Sequence, residues 1–210
     1  MLGNRALLVE GNNDKEVLKR LISHHKVNLH ADSIIAKGGI QEIIEGLRNE
    51  VEVEREALGI IIDADDKEAQ ANWNAVSARL RKAGYSNVPN KPDVAGTIVE
   101  WQHGDREDLC PKVGIWIMPD NQVPGMLENY MAFLVPDKDN DALWQLAGKC
   151  LQEAQQISAK IPTAKGHIYT YLAWQEDSGR PLGININKKI FDIGLPYTAL
   201  LINWLNRLFN

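Results

Sequence analysis

Carboxylates follow two widely separated apolar runs of this chain, and each run has the length of a β-strand. Residues 7–9 lead directly into Glu10, and residues 58–62 lead into Asp63 and then Asp65. Apolar runs without polar alternation are typical of strands that are buried on both faces of a parallel sheet. Ligands of such sheets bind at the carboxyl ends of the strands. We therefore expect these three carboxylates to meet at one edge of the sheet.

Acids that meet in this way favour a bound cation, because several carboxylates at one sheet edge repel each other and lose hydration. Asp63 and Asp65 are two residues apart, so an extended backbone would point both side chains the same way. The pattern predicts a Mg²⁺ or Mn²⁺ site with Asp63 and Asp65 as ligands and Glu10 as general acid/base or further ligand. Any one of these acids could instead be an ordinary cap or turn residue.

Further acids and glycines stand where they could join the same site. Asp14 lies in the first turn of a predicted helix, where an acid either interacts with the helix dipole or binds metal. Asp120 follows an apolar run at residues 113–118, and Glu128 lies near the start of the next helix, which Pro124 is predicted to open. The glycines between strand and helix allow a phosphate to approach backbone amides; they are Gly11, Gly38 and Gly39.

The acidic motifs also carry a family resemblance. Val9-Glu10-Gly11 with Asp14, followed by Asp63-Ala64-Asp65, resembles the pair of motifs that defines Toprim domains. Such domains occur in topoisomerases, primases, recombination proteins and OLD-family nucleases. The stretches at residues 114–122, 124–128 and 173–175 are similar to a bacterial family of uncharacterised Toprim-like proteins, so the resemblance covers nearly the whole chain.

This resemblance implies a Rossmann-like fold and a magnesium-dependent phosphotransfer activity, with a nuclease acting on DNA or RNA as the leading hypothesis. Asp120 and Glu128 would then help to hold a second metal, as acids of the later strand and helix do in OLD-type nucleases. Lys165 would be the cation near the scissile phosphate, because OLD-type sites use a late lysine. A topoisomerase is disfavoured, since 210 residues leave no room for a DNA gate.

The predicted architecture is an α/β fold with a mainly parallel sheet flanked by helices. Strand and helix patterns alternate through the first part of the chain, which is typical of parallel crossovers. We expect a Toprim-like domain over residues 1–138 and a helical C-terminal extension packed on it over residues 139–210. Within the extension, Tyr169, Leu172 and Trp174 are predicted to be core residues.

Composition limits the environment and the partners. The net charge of −5 argues against an extended nucleic-acid surface of the protein's own. No apolar run approaches the roughly 18 residues of a membrane span. The N-terminus enters a strand at once, so we expect no signal peptide and a cytoplasmic location. Cys110 and Cys150 match no zinc spacing and are expected to be reduced thiols.

Two other function classes stay open. A binding or regulatory module could keep the fold and the acids without efficient catalysis and work beside a separate ATPase, as related Toprim proteins in phage-defence or DNA-repair systems do; the chain has no Walker motif of its own. A receiver-like fold would use Asp63 or Asp65 as phosphoacceptor. The sequence leaves the oligomeric state open, a homo-oligomer included.

Overall fold

A five-stranded sheet lies at the centre of the protein, in the order β2-β1-β3-β5-β4. The structure, a computed structural model, describes residues 4–66, 69–102 and 110–210. Four strands are parallel, and only the edge strand β4 runs antiparallel to its neighbour β5. The strands are Arg5–Val9 (β1), Ile34–Ala36 (β2), Ala57–Asp63 (β3), Thr97–Val99 (β4) and Lys112–Met118 (β5). The predicted α/β class with a mainly parallel sheet is confirmed.

Helices cover both faces of the sheet and make up the C-terminal part of the chain. The first three follow β1, β2 and β3 as crossovers to parallel strands or to the edge of the sheet, which is the arrangement that strand–helix alternation predicts. The helices are Asn12–His25 (α1), Ile40–Glu52 (α2), Ala69–Ala83 (α3), Leu127–Ala132 (α4), Ala142–Ile157 (α5), Thr163–Ala173 (α6), Ile184–Asn187 (α7) and Pro196–Phe209 (α8). None of the described helices is long and apolar enough to cross a membrane.

The central strands are buried on both faces, which explains their uninterrupted apolar runs. Side chains alternate across β3 because successive residues of a strand point to opposite faces. Ile60 and Ile62 belong to the core formed with α2 and α3, whereas Ile61 belongs to the core formed with α1, α4 and the C-terminal helices. Each central strand therefore contributes to both hydrophobic cores, and helices bury the apolar surface on both faces of the sheet.

Helix α8 approaches the sheet closely over two paired glycines. Gly59 of β3 and Gly114 of β5 are register partners in adjacent strands. A Cβ at Gly114 would lie 2.5 Å from Cδ2 of Leu208, and a Cβ at Gly59 would lie 3.1 Å from the same atom. The absence of side chains at this pair makes room for Leu208, so the C-terminal helices share the hydrophobic core of the sheet.

Two local predictions are wrong. Helix α4 begins at Leu127 rather than near Pro124, because Gly125 has φ 147° and cannot continue a helix. Tyr169 and Trp174 are not core residues, since their exposed fractions are 38% and 40%. Leu172 is buried as predicted. The helical periodicity predicted α6 but not the face that it buries, which carries Ile168, Tyr171 and Leu172.

Candidate active site

A cleft of about 430 Å³ opens at the carboxyl ends of β1 and β3, the edge where the sequence predicts a site. The cleft brings together residues from β3 and from the helices α1, α4 and α6, together with the turns that follow β1 and β2. Eight of its eleven lining residues are predicted site residues: Glu10, Gly11, Asp14, Gly38, Gly39, Asp63, Glu128 and Lys165. The other three are Asn12, Asn13 and Leu127. Glu10, which follows β1, and Asp63, at the end of β3, lie close together because these two strands are hydrogen-bonded neighbours.

Glu10 directly follows β1, and backbone amides of two neighbouring segments hold its carboxylate. Oε1 accepts a 2.7 Å hydrogen bond from the amide of Asp63. The amide of Ile40, in the first turn of α2, also stabilises the charged form. Partial burial outweighs these bonds and raises the pKa of Glu10 above its ordinary value, with smaller contributions from the charges of Asp14 and Asp65. The carboxylate is therefore fixed in position but poorly stabilised as an anion.

Asp63 is the last residue of β3 and the electrostatic centre of the cleft. Its Oδ1 accepts a 3.0 Å hydrogen bond from the amide of Leu127, the first residue of α4. Burial raises the pKa of Asp63 to about 8, and the negative charges of neighbouring acids add to the shift. Those neighbours are Asp14, Glu10, Asp65 and Glu128. Without a cation, the cleft disfavours full ionisation at neutral pH.

Asp14 and Glu128 also line the cleft, and both side chains are buried. Oδ2 of Asp14 accepts a 3.1 Å hydrogen bond from the amide of Gly11, so this carboxylate caps α1 from its first turn. Burial, followed by the charge of Glu128, raises the pKa of Asp14, whereas the ammonium of Lys165 opposes that rise. Asp14 is therefore a helix cap that also lines the acidic cleft, and its role as a metal ligand stays a prediction.

Helix α6 supplies the cationic side of the cleft. It carries Lys165 and, four residues later on the same helix face, Tyr169. The Tyr169 hydroxyl accepts a 3.2 Å hydrogen bond from Nδ2 of Asn13. Burial raises the pKa of Tyr169, and the charges of Glu128 and Asp14 and a hydrogen bond to Glu128 raise it further. The C-terminal helices thus contribute directly to the site.

Tyr169 and Asn13 belong to this arrangement although neither was predicted as a site residue. The sequence position of each residue pointed to the site. Asn13 lies three residues after Glu10 in the turn that enters α1, and Tyr169 lies one helical turn after Lys165. The aromatic ring was assigned to the core because aromatic residues at helical spacing usually pack there.

Two predicted ligands lie outside the lining of the cleft. Asp65 has a left-handed backbone with φ 55°, so the extended geometry expected between Asp63 and Asp65 is wrong. The chain turns there because the amide of Asp65 donates a 2.8 Å hydrogen bond to the carbonyl of Gly125. Asp65 is exposed, yet its charge contributes to the raised pKa of Glu10 and of Asp63.

Asp120 has a local structural role. Its Oδ1 accepts hydrogen bonds of 3.0 Å from the amides of Gln122 and Val123, which closes the turn after β5. It is absent from the residues that line the cleft and from the charges that act on Asp63. The geometry gives Asp120 a turn-forming function and does not bring it to Glu128.

The glycine turn before α2 adopts the backbone that the sequence led us to expect. Gly38 has φ 97° and Gly39 has φ 145°, both in the region that favours glycine. The Gly38 amide donates a 2.8 Å hydrogen bond to the carbonyl of Glu10. A Cβ on Gly38 would meet no atom within 4 Å, so the turn faces open space in the cleft. The Ile40 amide at the start of α2 already donates a hydrogen bond to the Glu10 carboxylate.

The donor chemistry of the cleft fits a hard divalent cation. The acidic side chains of the cleft supply carboxylate oxygens, which are the ligands that Mg²⁺ and Mn²⁺ prefer. Burial and then the neighbouring negative charges raise the pKa of Asp63, and a bound cation would offset that negative charge. Within the described residues, however, no three His, Cys, Asp or Glu side chains are already arranged as a metal-binding group. One oxygen each of Glu10, Asp14 and Asp63 is bonded to a backbone amide.

The fold and the cleft define an α/β protein with an acidic site at the carboxyl edge of a mainly parallel sheet. The chain belongs to a family described as protein of unknown function, DUF3226, which it matches over residues 4–210. No curated protein and no solved structure matches it. The family match covers both the sheet and the C-terminal helices, including Lys165 and Tyr169.

Proposed function

We propose that this protein is a Toprim-type phosphotransfer enzyme that uses Mg²⁺ or Mn²⁺, and that it acts as a nuclease on DNA or RNA. The observation that carries the proposal is the convergence of four carboxylates and one lysine in a single cleft beside an open glycine turn. The carboxylates are Glu10, Asp14, Asp63 and Glu128. An acid such as Asp63, whose pKa is raised by burial and by several neighbouring charges in an open cleft, is typical of a functional site.

The acidic residues would hold the cation, and the remaining groups would bind and position the phosphate. Asp63, Asp14 and Glu128 are the proposed ligands, with Asp65 close enough to contribute charge. A bound divalent ion would polarise the phosphoryl group and neutralise developing charge. Lys165 would pair with a phosphate oxygen, and the Gly38 turn would admit the phosphate to the backbone. Glu10 would accept a proton from the attacking water.

The charge of the whole chain sets an expectation for affinity. At a net charge of −5, the protein as a whole repels a polyanion, so the local cation and Lys165 would supply the attraction at the cleft. Substrate binding by the isolated protein should therefore be weak and should weaken further as salt rises. Weak cleavage that is stronger with Mn²⁺ than with Mg²⁺ is the expected activity.

The test uses supercoiled plasmid and single-stranded RNA, each incubated with Mn²⁺, Mg²⁺ or EDTA. Wild type, Asp63→Ala and Asp32→Ala are compared; Asp32 is an exposed acid of the Ala31–Ser33 turn, so its variant controls for the lost charge. The proposal requires metal-dependent cleavage by wild type and Asp32→Ala and none by Asp63→Ala. Cleavage that survives both EDTA and Asp63→Ala comes from a contaminant and counts against the proposal.

A partner-dependent module is the second candidate, and one observation favours it. Glu10, Asp14 and Asp63 each give a carboxylate oxygen to a backbone amide, and the described residues hold no ready three-ligand group. Contact with a separate ATPase could complete such a site. In that case the isolated protein would bind metal without cutting either nucleic acid, and cleavage would appear only when the partner is added.

A further inference from the structure

A second and larger cavity, of about 600 Å³, lies beside the C-terminal half of α1, away from the acidic cleft at the start of that helix. Its volume falls within the range of small-molecule sites, which is roughly 300–1,000 Å³. Buried apolar side chains of Ile186 and Phe191 form part of its wall, together with the half-buried Ile193. Such a wall suits the apolar body of a ligand.

Cationic groups occupy the rim of this cavity. They are Arg20 of α1 and Lys189 of the segment after α7. The imidazole of His24, also on α1, lines the cavity as well. Asp192 is the only acid that lines it among the described residues, and its Oδ1 accepts a 2.8 Å hydrogen bond from the Gly194 amide. The lining therefore carries an excess of positive charge, the reverse of the acidic cleft.

Arg20 has no counter-charge of its own. Within the described part of the chain, its guanidinium forms no ion pair or hydrogen bond, and its Nε is buried without a partner. A partly buried guanidinium without an anion loses hydration that nothing replaces. Its planar fork matches the two oxygens of a carboxylate or phosphate. The neighbouring Lys19, in contrast, already pairs with Glu16.

The segment that closes the cavity is held in place by backbone hydrogen bonds. The amide of Asp192 donates to the carbonyl of Leu134 at 2.7 Å, and the amide of Ile190 donates to the carbonyl of Asn185 at 3.3 Å. His25 hydrogen-bonds to the backbone of Ile193. Lys189 has φ 60°, a left-handed turn that carries its side chain to the rim. The cavity is therefore preformed, which lowers the ordering cost of binding.

We infer that this cavity is a binding site for a small organic anion, with Arg20 and Lys189 binding a carboxylate or phosphate head and the Phe191 wall binding an apolar or aromatic body. The inference does not depend on the proposed nuclease activity, because no residue is shared between the cavity and the acidic cleft. Both sites include residues of α1, and their nearest residues in sequence, Asp14 and Arg20, are six positions apart.

The test titrates the full chain with 1-naphthyl phosphate and 1-naphthoate, which carry the two head groups on one aromatic body. Amide chemical shifts are recorded in EDTA, so that no metal occupies the acidic cleft. Inorganic phosphate and neutral 1-naphthol are the head-only and body-only probes. We expect at least one naphthyl anion to shift the amides of His24, Phe191 and Gly194 at concentrations where neither 1-naphthol nor phosphate does.

Three variants make the result specific. Arg20→Gln should weaken binding of the anion by about 10- to 100-fold, the usual loss for hydrogen bonds to charged groups. Lys189→Asn removes the second cation from an exposed position whose left-handed backbone asparagine tolerates. Arg79→Gln, on α3 on the other face of the sheet, is the control and should bind as wild type does. Asp63→Ala should also bind normally.

Several outcomes would overturn the inference. Binding of 1-naphthol as tight as that of the anions would remove the role of the cations. If Arg20→Gln and Lys189→Asn both bound the anions with wild-type affinity, these two cations would have no role in binding. Shifts of the cavity amides that follow protein concentration without any ligand would make this face a contact between copies of the chain. Absence of binding by either anion at millimolar concentration would end the proposal and leave the nuclease proposal untouched.

Discussion

The amide of Asp63 donates a 2.7 Å hydrogen bond to Oε1 of Glu10. The backbone at the end of β3 therefore holds the carboxylate that directly follows the neighbouring strand β1. The donor of this bond is the main-chain amide of Asp63, so the bond does not depend on the Asp63 side chain and every residue except proline can form it. The two acids can therefore be altered one at a time without moving each other. That independence makes separate tests of ligand and acid/base roles possible.

Asp63→Asn should stabilise the metal-free protein at pH 8 and reduce the dependence of its stability on pH. The ordinary pKa of 3.8 is raised to about 8 in the folded state, so the folded state binds the extra proton between these values. Stability of the wild type should therefore fall as pH rises from about 4 to about 8. Asparagine carries no charge but can still accept the Leu127 amide. Thermal melts in EDTA at pH 5, 6.5 and 8 measure the effect.

Addition of Mn²⁺ or Mg²⁺ to the same samples supplies the complementary measurement. A cation that binds only the folded state raises the melting temperature of the wild type by mass action, and Asp63→Asn should lose most of that rise. Asp66→Asn, which removes an exposed acid three residues later, should keep it. Equal metal responses in wild type and Asp63→Asn would contradict the metal site.

Glu10→Gln separates acid/base chemistry from metal binding. The glutamine carbonyl can still accept the Asp63 amide, so the fold should be unchanged. If Glu10 transfers a proton, cleavage should fall by at least ~10²-fold while most of the metal binding remains. Parallel loss of metal affinity and activity would instead make Glu10 a ligand. Cleavage rates and metal titrations of the same preparation distinguish the two.

Lys165→Gln should reduce cleavage and also reduce the dependence of substrate binding on salt. Lys165 lines the acidic cleft and is the only cationic side chain that does so among the described residues. Loss of one phosphate contact should lower the slope of log affinity against log salt by about one unit. Lys160→Gln, an exposed lysine just before α6, is the matched control. An unchanged slope in Lys165→Gln would remove this lysine from the substrate contact.

Tyr169→Phe should raise the metal concentration needed for activity by about 10-fold or more, the scale of lost outer contacts to ligands. The change removes the hydroxyl that joins Asn13 to Glu128 and keeps the ring. Because Tyr169 is 38% exposed, the melting temperature should change little. Tyr197→Phe, with 51% exposure, controls for the loss of a surface hydroxyl. Full recovery at saturating metal would mark Tyr169 as a positioning residue; equal metal curves for the two variants would deny it that role.

Burial determined which parts of the structure could be predicted. Strands β3 and β5 were recognisable because buried parallel strands leave continuous apolar runs, and the positions of Glu10 and Asp63 followed from the ends of such runs. The turn glycines were recognisable for the same local reason, since Gly38 and Gly39 adopt positive φ. These inferences need only short-range patterns.

The errors arose where distant contacts decide the local geometry. The backbone of Asp65 is left-handed because it pairs with Gly125, sixty residues away in the chain. The same Gly125, with φ 147°, precedes the start of α4 at Leu127. Tyr169 faces the cleft because Asn13, far earlier in the sequence, donates to its hydroxyl. Periodicity can place a residue on a helix face, but packing decides what that face meets.

Gly59→Ala should destabilise the protein by about 1–3 kcal/mol, the usual cost of overpacking a filled core. Its new methyl group would lie 2.6 Å from Cδ1 of Leu7 and 3.1 Å from Leu208. Gly46→Ala is the matched control in α2, where a Cβ meets nothing within 4 Å. That change should stabilise the helix by about 0.5–1 kcal/mol. Urea unfolding of both variants measures the difference, and equal signs would contradict the close packing of α8.

Because β3 faces two cores at once, the strand should be far less tolerant of insertions than of substitutions. A single residue inserted ahead of Gly59 would shift the strand by one position and exchange its faces. Ile60 and Ile62 would turn toward α8, and Leu208 would meet the side chain of the residue that now precedes Gly59, at the place where the glycine had left room. Asp63 would no longer lie opposite Met118 at the rim of the sheet. Changes in length among relatives of this chain should therefore fall in its loops and spare this strand.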